Sequence, residues 1–118
     1  MAVGQNWPPL GMRVPLLWST TMTGATEEVV TPEAGKHVYL AVAMFSNAST
    51  GDCASIGLRF GTGGTVRFPA YLHSAGGGVY MNFIQAEINE GSSGDPLYVV
   101  MDTSGSPTVL ATVGYYIL

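Results

Sequence analysis

From Leu16 onward the sequence is cut about every ten residues by clusters of Gly, Pro, Asn, Ser or Asp, leaving short runs rich in Val, Tyr, Phe and Ile. That punctuation leaves no stretch of amphipathic helix. The runs span residues 16–22, 25–30, 37–45, 53–60, 65–72, 79–84, 97–102 and 108–118. Between the second and third, Pro32-Glu33-Ala34-Gly35 reads as a turn: proline presets φ and glycine is free to take a positive one. The run HVYLAVAMF (37–45) is apolar on both parities, which predicts a strand covered on both faces. Gly61-Thr62-Gly63-Gly64 and Gly76-Gly77-Gly78 read as hairpin loops. Pro69 cannot donate to a ladder, so its strand is expected at a sheet edge or at a bulge. About eight short strands with glycine-rich turns predict an all-β fold. The expected form is a compact β-sandwich or jelly roll of antiparallel strands with an extended N-terminal arm.

The arm is assigned to residues 1–17 and the sandwich domain to 18–118. Pro8, Pro9 and Pro15 disfavour helix in the first segment. Disordered tails are poor in aromatics, whereas this one carries Trp7 with Leu10, Met12, Val14 and Leu16. An arm that lies on a partner surface accounts for those side chains.

Charged residues make up only 10% of the 118, against roughly 25% in typical soluble domains. A free monomer normally shows a mixed, charged surface. Depletion of charge marks surface covered by other subunits. The net charge is −4, and Arg13, Lys36, Arg59 and Arg67 are the basic side chains. This argues against nucleic acid and against an anionic membrane as partners, since both attract a cationic patch. No apolar run reaches the roughly 20 residues needed to span a bilayer. The first residues show no basic region ahead of an apolar core, so no signal peptide is expected and the chain is made in a cytoplasm. Cys53 is the single cysteine, which rules out an intrachain disulfide. It reads as a small buried hydrophobe.

No constellation for catalysis or metal binding emerges, and no cofactor is implied. His37 and His73 lie far apart, and no spacing of Asp or Glu supplies further ligands. Ser74 follows His73 directly, and adjacent strand residues point to opposite faces. The glycine runs lack a following Gly-Lys-Ser/Thr and sit between strands. Asn47-Ala48-Ser49 matches a glycosylation sequon, which has no force without secretion. Trp7, Trp18, Tyr71, Tyr80, Tyr98, Tyr115 and Tyr116 would serve a sugar site only if exposed in a row; aromatics in strands more often pack cores and contacts.

Three segments resemble the small β-sandwich structural proteins of tailed bacteriophages: VTPEAGKHVYLAVAMFSN, LRFGTGGTVRFPAYLHSAGGGVYMNF and LYVVMDTSGSPTVLATVGYYIL. The likeness covers roughly residues 26–118 and leaves the arm outside. Among those proteins, a chain of this size looks most like a capsid decoration, or cement, protein. The resemblance implies location on the virion's capsid surface and the major capsid protein as partner. It also implies self-association as a homotrimer, with neighbouring shell subunits bridged. Trp7, Arg13 and Trp18 are the expected anchors, because Trp and Arg dominate interface energetics; no family motif singles them out. The alternatives are a receptor-facing tail-tip or fibre module and a carbohydrate-binding β-sandwich.

Overall fold

A computed structural model describes residues 14–23, 26–74, 76–83, 90–102 and 107–118. Eight strands form: β1 Leu16–Met22, β2 Thr26–Val30, β3 Val38–Asn47, β4 Ala54–Phe60, β5 Arg67–Leu72, β6 Gly78–Asn82, β7 Leu97–Asp102 and β8 Val109–Ile117. They build two antiparallel sheets, ordered β1-β8-β3-β6 and β2-β7-β4-β5. Only β4 and β5 are consecutive strands within one sheet; every other connection passes between sheets. That winding is a jelly roll.

The sandwich closes on one core. Val38, Leu40, Ala43 and Phe45 of β3 join Ile56, Leu58 and Phe60 of β4. Leu97, Val99 and Met101 of β7 and Val109, Ala111 and Val113 of β8 complete it. Each set alternates along its strand, as a period of two requires when one side faces inward. In β3 the register slips between Leu40 and Val42, leaving Ala41 as the extra residue. Without that bulge the inward parity of Val38 and Leu40 would not continue into Ala43 and Phe45.

The position of Pro69 follows from the same rules. It lies in β5, an edge strand, beside a register shift in the β4–β5 pairing. Its neighbour Phe68 takes a positive φ of 53°, and the Phe68 ring packs against Phe83 at 4.6 Å between centroids. Gly57 of β4 makes room there, since a Cβ at this site would stand 2.4 Å from Val66.

Two expectations are corrected. The run in β3 is covered on one face only: Met44, on the outward parity, is 47% exposed. A two-layer sandwich has one inner side per sheet, so outward apolar residues stay open unless something docks on them. The Gly76–Gly78 run is not a hairpin loop either. It carries the chain from β5 in one sheet to β6 in the other, whereas Gly61–Gly64 does form the β4–β5 hairpin.

An inward position of β2 carries a carboxylate. Glu27 pairs with Val99, a core residue, so it turns toward the inner side of β2. Its Oε2 is buried and has no hydrogen-bond partner. A buried acceptor left unpaired costs about 1–3 kcal/mol. Glu27→Val removes it and places a β-branched residue on a strand, where such residues fit. The expected result is a melting temperature higher by about 4–8 °C in calorimetry. A fall would mean that the carboxylate is serving an unseen contact.

Candidate functional site

The two sheets divide the charge between them. Not one residue in β1, β8, β3 or β6 is Asp, Glu, Lys or Arg. Every strand-borne charge lies in the other sheet: Glu27, Glu28, Arg59, Arg67 and Asp102. Pairing registers give the outward residues of the charge-free sheet as rows running from β1 through β8 and β3 to β6. One row is Leu17, Gly114, Val42 and Asn82; the next is Ser19, Thr112, Met44 and Tyr80; the third is Thr21, Leu110, Ser46 and Gly78. Leu17, Met44, Tyr80 and Leu110 are 67%, 47%, 59% and 50% exposed. A neutral bond of 3.0 Å joins the Ser19 and Thr112 hydroxyls. The face therefore offers apolar knobs and hydroxyls, with Gly114 covered by the Val42 and Leu17 side chains. Tyr39 and Tyr116 pair at one end of it. Beyond them Val14, Leu16, Tyr115, Tyr116, Ile117 and Leu118 line an open groove of about 230 Å³.

The opposite face is built differently. Arg59 lies over the Tyr98 ring, 4.9 Å from its centroid, and donates from Nε to the Gly61 carbonyl. Arg67 lies over the Phe60 ring at 5.4 Å. Each guanidinium stacked on an aromatic face is partly satisfied where it stands.

Two small polar clusters lie outside these faces. His37 Nδ1 stands 2.9 Å from the Gly91 carbonyl and 3.1 Å from Glu90 Oε2. A carbonyl only accepts, so Nδ1 carries the proton. Glu90 also bonds Tyr39, and burial, then the Glu90 charge and hydrogen bond, hold the Tyr39 phenol above its ordinary value. This cluster ties the chain around residue 90 to the start of β3, alongside the Gly91 N–H to Val38 carbonyl bond. At the other end of the sandwich, Tyr71 bonds Cys53, and that bond first raises the Tyr71 phenol; the ring meets His73 edge-on at 5.6 Å. Cys53 is half-buried rather than buried. Among the described residues, no three of His, Cys, Asp and Glu come together to hold a metal ion.

Of the expected anchors, Trp7 and Arg13 lie outside the described residues. Trp18 pairs with Val113 on the inward parity of β1, half-buried against the core. The aromatics do not gather in an exposed row among the described residues. Tyr116 is buried, Tyr115 packs on the core and Tyr98 lies under Arg59. Tyr71 and Tyr80 are exposed, but on different sheets. The sequon asparagine, Asn47, is fully buried. The charge-free face escaped sequence reading because its strands are first, eighth, third and sixth in chain order. No family model matches the chain, and no curated protein matches it.

Proposed function

We propose that this chain is a virion structural protein of a tailed bacteriophage, a capsid decoration protein. In this role it binds the outer shell and bridges major capsid protein subunits. The observation that carries the reading is the uncharged sheet with its exposed Leu17, Met44, Tyr80 and Leu110. An uncharged sheet face that exposes several large apolar side chains supports a site of association rather than a face kept in water. The jelly roll is compatible with the role, since this architecture serves in capsid proteins and in lectins, but a fold alone does not assign function. The absence of an exposed row of rings among the described residues weighs against the sugar-binding alternative.

Bridging strengthens a shell through number: weak links add when many copies act on one surface. The deciding measurement is the copy number of this chain in its particle, by quantitative mass spectrometry against the major capsid protein. Hundreds of copies per particle are expected. A handful would place the chain in the tail or a fibre and overturn the decoration reading.

A further inference from the structure

We propose that the outer face of the β1-β8-β3-β6 sheet is a self-association surface, on which a second copy of this chain stacks face to face. The proposal concerns this surface and does not depend on the capsid reading.

Charge selects the occupant. Each copy carries a net charge of −4, so two copies repel wherever their charged surfaces meet. Here the strands bring no charge at all, and Glu90 lies beyond one end, at Tyr39. A strongly cationic or anionic partner would find nothing to pair with. The face is also suited to its own copy. Its exposed groups are aliphatic, aromatic or hydroxyl, and hydroxyls both donate and accept. Leu17, Met44, Tyr80 and Leu110 stand out from it.

Area agrees. Strands of 7, 9, 10 and 5 residues, about 4.8 Å apart and rising about 3.4 Å per residue, give a face of roughly 500 Å². Two such faces bury on the order of 1,000 Å², about the area that a specific contact has to clear. Stacking the face on itself is an isologous, two-fold contact. A three-fold ring would instead set it against a different surface of the neighbour, and the outer face of the other sheet carries Glu28 and Arg59.

The test uses the full chain and light scattering at micromolar concentration. The expected mass is twice 12.4 kDa. Met44→Lys and Leu110→Lys each put an unpaired cation into the stacked face while leaving the core untouched. Each should weaken the dimer at least about a hundredfold, because a buried, unpaired charge is strongly penalised. Circular dichroism should show each variant folded. Tyr71→Lys, on the charged sheet, should leave the dimer intact.

A dimer that survives both lysines overturns the proposal, as does a three-fold mass. A wild-type monomer overturns it too, and the variants then say what covers the face. If Met44→Lys lowers the monomer's melting temperature, the chain covers its own face. If it does not, the face awaits a different protein. None of these outcomes changes the copy number in the particle, so this proposal and the decoration reading fail separately.

Discussion

Asn47→Leu is expected to lower the melting temperature by about 12–20 °C, the equivalent of roughly 3–5 kcal/mol in a chain of this size. Asn47 is fully buried at the end of β3. Its Nδ2 donates to the carbonyls of Asp52, at 2.8 Å, and Leu72, at 3.3 Å. Its Oδ1 accepts from the Ser49 amide at 2.9 Å. Its backbone amide donates to the Gly77 carbonyl, and its own carbonyl accepts from the Gly76 amide. One residue thus holds the loop after β3, the last residue of β5 and the turn before β6. Leucine keeps the branched shape, though it is larger, and strands three backbone groups without partners; unpaired buried groups cost far more than a satisfied bond contributes. Since whole domains are stable by only about 5–15 kcal/mol, the variant sits near the limit of folding. Asn47→Asp separates the roles: it keeps an acceptor for Ser49 but faces two carbonyls with a carboxylate, and should be destabilised at least as much. Calorimetry of both variants decides. A loss under about 1 kcal/mol for Asn47→Leu would mean that water or loop movement satisfies the freed groups.

The punctuation that exposed the strands says nothing of where they go. Turn residues act locally, so the spans 16–22 and 97–102 coincide with β1 and β7, and the other runs overlap β2 to β6 and β8 closely. Sheet membership is a long-range property. In a jelly roll nearly every connection changes sheet, so strands that share a face are scattered along the chain. That is why uncharged β1, β3, β6 and β8 could not be seen as one surface, although their sequences show no charge individually. The same ignorance made β3 look doubly buried. It also hid the inward turn of Trp18, which follows from its pairing with Val113 rather than from its type. The Asn-Ala-Ser triplet gave a sequon by pattern, and only the fold reveals Asn47 as an interior pin. The contacts of His37 with Glu90 and of Tyr71 with Cys53 likewise depend on chain crossings that no spacing signals.

Adjacent substitutions in β3 test that sidedness directly. Phe45→Ala, measured in dilute solution, is expected to cost about 3–5 kcal/mol and lower the melting temperature by roughly 12–20 °C. Phe45 is 2% exposed and belongs to the core. It pairs with Val79 on one side and Ala111 on the other, and all three turn inward. Removing the ring leaves a cavity that two hydrogen-bonded neighbouring strands cannot collapse to fill. Met44→Ala, one residue earlier, should change stability by less than about 0.5 kcal/mol, as truncations at open surface sites do. Met44 pairs with Tyr80 and Thr112 on the face that water reaches. Equal losses from the two variants would mean that the outer face is covered within a single chain. The expected inequality has a consequence for what the face is for. A large apolar side chain that adds almost nothing to the lone fold, on a sheet without charge, has its energetic effect only when a partner removes it from water. At about 25 cal/mol per Å² of apolar surface, the four exposed knobs would then contribute to assembly what they do not contribute to folding.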